Sequence, residues 1–166
     1  MRGEEVLEVR KMTEAEAEEN FRKLTEYYYN NSRACSCMEN FRISAAEDKI
    51  RSMIAHLHDG TAIVYGCFDG LRLCGYLWAY EIQFREEHRI YVSEIYVEES
   101  CRGQGLGTLL LDAAEDEAKK RGIPALYIHA EADNTGAVRL YERFGFSMER
   151  VQMRKVLSGQ DYGTGK

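Results

Sequence analysis

Hydrophobic and polar positions alternate along this chain with two different periods. Apolar residues three or four positions apart predict four helices, over residues 13–30, 44–58, 108–121 and 134–144. Runs rich in β-branched and aromatic residues predict six strands, over residues 4–10, 61–68, 71–84, 89–97, 125–130 and 146–157. The order is β-α-α-β-β-β-α-β-α-β, without an internal repeat or a flexible linker. It predicts a single α/β domain with a mixed sheet over residues 1–157, followed by a flexible polar tail over residues 158–166.

Short local signals mark where three of the helices begin or end. Thr13 with Glu16, and Ser44 with Glu47, have the capping-box spacing that begins a helix. Gly122 stands where a helix C-cap is expected, because glycine adopts the left-handed conformation that closes many helices. These signals support the helices that the apolar spacing predicts.

The composition is that of an ordinary globular protein, with 45% hydrophobic and 30% charged residues. The chain carries 22 Lys and Arg against 28 Asp and Glu, which gives a net charge of −6. A non-specific nucleic-acid binder needs a basic surface, so we expect no nucleic-acid partner. The acidity mildly favours a cationic substrate.

The sequence also predicts neither a membrane span nor secretion. Its apolar runs fall short of the ~20 residues that a membrane helix needs. The charged segment 1–10 has no apolar core of a signal peptide. The five cysteines have no framework spacing, so we expect reduced thiols and a cytoplasmic location.

A glycine-rich turn between a predicted strand and a predicted helix, residues 97–108, carries the strongest chemical signal. Its glycines allow a close backbone approach, the following helix presents unpaired N–H groups, and Arg102 adds a positive charge, so the turn suits a pyrophosphate. A Walker A loop would need Lys and then Ser or Thr after its second glycine. A dinucleotide fingerprint would need its third glycine one residue later than Gly107.

The remaining pattern resembles the acetyl-CoA loop of the GNAT superfamily of N-acetyltransferases, Q/R-x-x-G-x-G/A, which Arg102, Gly105 and Gly107 match. A second segment, Asn134 to Phe146, is similar to the family signature N-x-x-A-x-x-(L/F)-Y-x-(K/R)-x-G-F. The two motifs stand in the family's order, with room for one helix and one strand between them. The resemblance covers roughly residues 61–155.

The resemblance implies a GNAT fold with a mixed sheet of about six to seven strands, flanked by about four helices. Two central parallel strands, here 91–97 and 125–130, would splay apart and admit acetyl-CoA as the co-substrate. The residues implied in binding it are Ile95, Tyr96, Val97, Arg102, Gly103, Gln104, Gly105, Leu106, Gly107, Thr108 and Asn134. For Asn134, a helix N-cap is an alternative role that is compatible with binding.

The same resemblance implies two catalytic residues. Tyr141 stands at the position of the family's general acid, although it would also serve as a core tyrosine. Glu94 would be the base, because a partly buried carboxylate has a raised pKa, or else a structural residue; Glu81 is a second candidate base. Strict alternation puts Tyr91, Ser93 and Ile95 on the face opposite Glu94, unless a bulge intervenes.

No metal site is expected. Cys35 and Cys37, with His56 and His58, lack the usual spacing of zinc ligands. The thiols are therefore interpreted as buried or incidental.

Together these features predict an N-acetyltransferase that acts on a primary amine by direct attack, with a small cationic amine favoured. One alternative acceptor is a protein N-terminus or lysine. An alternative of another class is a non-catalytic acetyl-CoA-binding sensor. A homodimer is compatible with a free edge at the last strand.

Overall fold

The fold is known from a computed structural model, which describes residues 7–34, 40–155 and 157. Its strands are β1 (Leu7–Lys11), β2 (Ala62–Asp69), β3 (Arg72–Phe84), β4 (Glu87–Val97) and β5 (Ala125–Ile128). Its helices are α1 (Glu14–Glu19), α2 (Phe21–Arg33), α3 (Ile43–His58), α4 (Leu106–Arg121) and α5 (Thr135–Phe144), with a 3-10 turn at Glu99–Cys101. None of these helices is long and apolar enough to cross a membrane.

The strands form one mixed sheet in the order β1-β2-β3-β4-β5. Strands β1 to β4 are antiparallel neighbours, whereas β5 runs parallel to β4. Helices α1 to α3 cover one face, where Leu24 and Ile50 pack against Trp78. Helices α4 and α5 cover the other face, where Leu110 and Tyr141 lie in a second cluster. Both faces of the central strands are therefore buried, as the apolar character of β2 and β3 requires.

Two of the predicted helices differ from the structure in their boundaries. The stretch predicted as one helix over residues 13–30 is two helices that meet at Asn20. The Thr13–Glu16 capping box is present at the first of them, but α3 begins at Ile43, one residue before Ser44, and its N-cap residue makes no side-chain cap bond. Five α-helices, not about four, thus occur within residues 7–34, 40–155 and 157.

The predicted final strand over residues 146–157 is the main correction to the sheet. Residues 146–155 and 157 are not in a strand, and Val156 lies outside the described residues. The sheet of the described chain accordingly has five strands rather than six to seven. Several apolar side chains of this segment, such as those of Met153 and Val151, are exposed, so its apolar alternation does not reflect burial in this structure. The predicted tail, 158–166, lies outside the described residues, as do residues 4–6 of the predicted first strand.

The predicted splay between the two parallel strands is confirmed. Strand β5 pairs with β4 only over Arg89–Val92, where Val92 faces Ile128. Strand β4 runs on to Val97 beside β3 alone. The two strands therefore diverge beyond Val92, and a cleft opens between them.

A β-bulge in β4 lies at the same point. Trp78 is opposite Glu94, but the next residue of β3, Ala79, is opposite Val92. Ser93 is thus the extra residue, because it lies between Val92 and Glu94, whose partners on β3 are adjacent.

The bulge reverses the side-chain alternation of the strand. Val92 and Ile95 both pack in the cluster beneath α4 and α5, although they are three positions apart. Glu94 and Tyr91 are consequently together on the face that α1 to α3 cover. The strict alternation is therefore right for Ile95 and wrong for Tyr91, and the bulge is the reason.

A buried carboxylate ties α4 to the far edge of the sheet. Glu117, only 4% exposed, accepts bonds from Lys11 Nζ at 2.9 Å, Arg121 Nη2 at 2.7 Å and Tyr65 Oη at 3.1 Å. Burial acts to raise the pKa of Glu117, but these bonds outweigh it and lower the pKa to about 2. The group is therefore held ionised, as buried charges require.

Candidate active site

A cavity of about 180 Å³ occupies the gap where β4 and β5 diverge. Its walls come from residues 92–95 of β4, residues 128–131 at the end of β5, the end of α2 and one side of α5. Both proposed catalytic residues, Glu94 and Tyr141, line it. Asn134 lines it as well, so the second sequence motif, Asn134 to Phe146, contributes residues to the cleft that the divergence of the strands opens.

Glu94 lies in a poorly hydrated part of this cleft. Burial raises the pKa of Glu94 to about 7, and a hydrogen bond from the amide of Asn31 opposes the shift only in part. Near neutral pH the carboxyl can therefore exist in both protonation states, as a general base requires. Asn31 was missed by the sequence reading, although it stands four and seven positions after Tyr27 and Leu24 on the apolar side of its helix.

Tyr141 faces the cleft from α5 and is 9% exposed. Burial raises the pKa of Tyr141 to about 12, and the negative charge of Glu94 adds to the effect. Its ring packs edge-on against Phe146, with centroids 5.8 Å apart. The phenol therefore stays protonated at neutral pH, which suits a proton donor.

The glycine-rich turn connects β4 to α4 and has the backbone that its sequence predicts. Gly103 and Gly105 both have φ of +77°, a conformation that glycine adopts without strain. Gly107 allows close packing instead, because a Cβ there would lie 3.1 Å from Leu140. Helix α4 begins directly after Gly105, so its first N–H groups and dipole point toward the turn.

Arg102 is oriented by its own strand. Its Nε donates to the Val97 carbonyl at 2.9 Å, and its guanidinium lies over the Tyr96 ring, 5.6 Å from the centroid. These two contacts hold the guanidinium of Arg102 at the start of the turn, where it would pair with an anionic group. Gln104 and Thr108 are exposed beside it, whereas the Leu106 side chain is buried and only its backbone is available.

The backbone of Ile95, Tyr96 and Val97 forms one wall of the gap. On the β3 side these residues pair with Leu77, Tyr76 and Gly75. On the β5 side the ladder has already ended, so within the described residues no strand pairs with this edge. An extended ligand with amide groups could add to it as a further strand would.

Asn134 caps α5, and its Oδ1 accepts from the Ala137 N–H at 3.2 Å. This confirms the N-cap role for Asn134.

Glu98, the first residue after β4, links the start of the turn to α2. Sequence reasoning missed this residue. Its carboxylate accepts from Tyr27 Oη at 2.7 Å and Arg72 at 2.8 Å, and Lys23 Nζ lies 3.3 Å away. The bond from Tyr27, followed by those from Arg72 and Lys23, lowers the pKa of Glu98 to about 2. Its position directly after β4 was the only available signal, because its partners are distant in sequence.

Two weaker sequence candidates lie elsewhere. Glu81 accepts from Arg121 Nη1 at 2.8 Å and does not line the cleft. His56 contacts Thr61 and His58 contacts Glu14. Cys35 and Cys37 lie outside the described residues, and no group of three or more metal-ligating side chains occurs in the remainder.

Two curated sequences similar to this chain are acetyltransferases by name. The uncharacterized N-acetyltransferase YdgE of Bacillus subtilis is 32% identical over 83 residues, which are 50% of this chain and 53% of that protein. A mycothiol acetyltransferase of Jonesia denitrificans is 35% identical over 96 residues, 57% of this chain and 29% of that protein. The chain thus spans about half or less of the length of these two relatives.

Solved structures share the fold at lower identity. An aminoglycoside acetyltransferase, HMB0005 from an uncultured soil metagenomic sample, superposes with a TM-score of 0.67 and is 20% identical, covering 92% of this chain and 99% of that one. A sequence profile described as the acetyltransferase (GNAT) family matches residues 12–146. This match spans both motifs and the cleft between the diverging strands, and the chain belongs to the GNAT acetyltransferase family.

Proposed function

We propose that this chain transfers the acetyl group of acetyl-CoA to a primary amine by direct attack, with a small cationic amine as the favoured acceptor. The observation that carries the proposal is the pairing of Glu94 and Tyr141 across one cleft. One group can accept a proton near neutral pH, and the other retains the proton that it would donate.

The family implies acetyl-CoA as the co-substrate, and the residues of the glycine turn fit it. The two positive-φ glycines and the first turn of α4 offer backbone N–H groups to a pyrophosphate, and Arg102 offers its guanidinium. The unpaired edge of residues 95–97 would receive the pantetheine amides, as a sheet edge receives a strand. Bound there, acetyl-CoA supplies an acyl carbon activated as a thioester.

Glu94 would act on the acceptor. A primary amine is protonated at neutral pH and cannot attack until it loses a proton. A carboxylate with a pKa of about 7 can take that proton, directly or through a water molecule. The bond from Asn31 orients the carboxylate and keeps one oxygen engaged.

Tyr141 would act on the leaving group. Attack leaves an extra proton on the nitrogen, which is released as the C–S bond breaks and the amide forms. The departing thiolate needs a proton, and the donor regains one from solvent afterwards. The Tyr141 hydroxyl has no hydrogen-bond partner within the described residues, so its proton is available to the sulfur. The charge of Glu94 and the overall charge of −6 both favour a cationic acceptor over an anionic one.

The test is thiol release from acetyl-CoA with a panel of amines: spermidine, kanamycin, glucosamine and a peptide with a free N-terminus and a lysine. We expect at least one amine to raise the rate, and Tyr141→Phe to lower kcat by roughly ten-fold or more. Tyr65→Phe is the matched control, because it removes the hydroxyl of a buried tyrosine that does not line the cleft.

The outcomes separate the alternatives. Preference for the peptide would replace the small amine with a protein acceptor. A chain that acetylates none of the amines, yet is stabilised by acetyl-CoA, would be a binding module rather than an enzyme for them. If Tyr141→Phe lowered kcat no more than Tyr65→Phe does, the proposed role of Tyr141 as the acid would be refuted.

A further inference from the structure

A chain of hydrogen bonds runs from the surface to the acceptor side of the cleft and takes no part in the mechanism above. Arg150 donates to Tyr127 Oη at 3.1 Å. Both ring nitrogens of His129 are then bonded to tyrosine hydroxyls, Nε2 to Tyr127 at 2.8 Å and Nδ1 to Tyr91 at 3.0 Å. Neither nitrogen of this histidine lacks a partner, although the residue is exposed and lines the cleft.

This series of hydrogen bonds ends at Tyr91, on the same face of the sheet as Glu94, the proposed base. Because of the bulge at Ser93, Tyr91 lies on the Glu94 side of β4, and the charge of Glu94 is close enough to act on Tyr91. Tyr91 is also held sideways, because its ring meets Tyr80 edge-on with centroids 5.3 Å apart. The position of its hydroxyl is therefore fixed by a ring contact and by His129.

An incoming ammonium group brings only N–H donors. A tyrosine hydroxyl can accept such a donor only if its own proton is directed elsewhere. His129 Nδ1 is the acceptor that can take the Tyr91 proton, and the Nε2–H then donates to Tyr127. The Tyr91 oxygen is left with a free lone pair beside His129, which lines the cleft.

We propose that Tyr91 is a second contact of the acceptor amine, beside Glu94, and that His129 is the positioning residue that orients it. This inference rests on the proposed function and deepens it. The amine nitrogen would be held between a carboxylate and a phenol oxygen, which would align its lone pair after deprotonation.

Two substitutions at one position test the positioning role. The Oδ1 of Asn can occupy the place of the imidazole Nδ1, whereas the amide of Gln reaches toward the place of Nε2. His129→Asn therefore keeps the acceptor for Tyr91, and His129→Gln keeps only the bond to Tyr127. Both variants lack the imidazole ring, and their side chains differ by one methylene. A difference in activity between them therefore does not come from the loss of the ring.

The assay uses the full chain with saturating acetyl-CoA and the best amine of the panel above. We expect Tyr91→Phe and His129→Gln each to lower kcat/KM for the amine by roughly ten-fold, the worth of one good hydrogen bond. We expect His129→Asn to stay within about three-fold of wild type. The KM for acetyl-CoA and the melting temperature should change little in all three.

A double variant completes the test. In the Tyr91→Phe background, His129→Gln should add no further loss, because the group that His129 orients is absent. Equal activity of the Asn and Gln variants, whether both high or both low, would overturn the positioning role. If the wild type is active and Tyr141→Phe is impaired, while Tyr91→Phe is unimpaired, only this inference fails. A wild type that acetylates no amine would remove the proposed function, and this inference with it.

Discussion

At the scale of single residues, the cleft contains two acidic groups that differ in protonation state near neutral pH. Glu94 and Tyr141 share a poorly hydrated cavity, and burial raises the pKa of each, to about 7 and about 12. The same cause gives opposite consequences, because a carboxyl starts well below neutral pH and a phenol starts above it. Near neutral pH one group can accept a proton while the other still carries one.

This separation predicts the pH dependence of the reaction. As the proposed base, Glu94 would be active as the carboxylate, so kcat/KM should rise as the pH increases through about 7 and then level off. Tyr141 stays protonated up to about pH 12, so it should cause no fall in the ordinary range. The check is kcat/KM for the amine from about pH 5.5 to 9, with a non-titrating control in Glu94→Gln. A wild-type profile that lacks the rise near neutral pH would contradict the role of Glu94.

The raised pKa of Glu94 also has a stability consequence. Its folded pKa of about 7 exceeds the unfolded value, so the folded state binds the proton more tightly. The group is neutral for stability below about pH 4, and it becomes destabilising as the pH rises through about 7. Glu94→Gln should therefore be more stable than wild type at about pH 8.5, by on the order of 1–3 kcal/mol, and equally stable at about pH 4. Thermal unfolding at both pH values measures this, and a variant less stable at the higher pH would refute it.

At the scale of elements, the turn between β4 and α4 allows two roles of a glycine to be told apart. One is to adopt a positive φ, and the other is to leave backbone N–H groups available to a ligand. Gly105 and Gly122 stand at the two ends of α4 with similar φ values of +77° and +67°. An added Cβ at either would meet no atom within 4 Å, so only the backbone conformation opposes a side chain. The two positions differ in that Gly105 belongs to the glycine-rich turn, which is proposed to bind acetyl-CoA.

Alanine at each position should thus have the same cost in folding but a different cost in binding. Gly105→Ala and Gly122→Ala should each destabilise the chain by about 1 kcal/mol. Only Gly105→Ala should raise the KM for acetyl-CoA, by roughly ten-fold, because it perturbs the N–H groups that would face the pyrophosphate. Unfolding curves and acetyl-CoA titrations check both parts. A Gly122→Ala variant with the same change in KM would show that the effect is only loss of stability.

The carboxylate of Glu117 joins α4 to β1 and β2, so it belongs to this scale as well. Its folded pKa of about 2 lies below the unfolded value, so its stabilisation is present above about pH 4 and is lost as the pH falls toward 2. Glu117→Gln should destabilise the fold at neutral pH by on the order of 2 kcal/mol or more, since it leaves Lys11 and Arg121 without their buried partner.

Glu115→Gln is the control on the same helix, because its pair with Lys119 is exposed. Such a pair is worth about 0.5 kcal/mol or less. Urea unfolding at neutral pH and near pH 3 compares the two variants. Equal effects at neutral pH would contradict the buried ion-pair role of Glu117.

The sequence predicted the elements whose signals are local. The glycine turn, the Asn134 cap and the capping box at Thr13 each depend on a few adjacent residues, and all three are present. It left a bulge open but could not locate it at Ser93, because the bulge exists only in the register between β3 and β4. The bond from Asn31 to Glu94 joins residues 63 positions apart, which no local pattern encodes. The predicted strand over residues 146–157 had the right alternation but no partner strand in the described chain.

At the scale of the whole molecule, the two faces of the sheet would bind different substrates at the cleft. The glycine turn and Tyr141 belong to the side of α4 and α5, where acetyl-CoA would be held. Tyr91 and Glu94 belong to the side of α1 to α3, from which the acceptor would enter. The splay of β4 and β5 connects the two sides, so transfer would occur through the sheet rather than on its surface.

The net charge adds a long-range contribution to acceptor binding and gives a last prediction. A charge of −6 attracts a polyvalent cation more strongly than a monovalent one, and salt screens that attraction over about 10 Å at 0.1 M. With acetyl-CoA saturating, the KM for spermidine should increase several-fold between about 0.05 M and 0.5 M NaCl, while that for a monoamine such as glucosamine changes about two-fold or less. Initial rates at a series of salt concentrations measure both, with kcat as the internal control. If the two amines showed the same salt dependence, the acidity of the chain would serve solubility alone, and the preference for a cationic acceptor would have to come from the cleft itself.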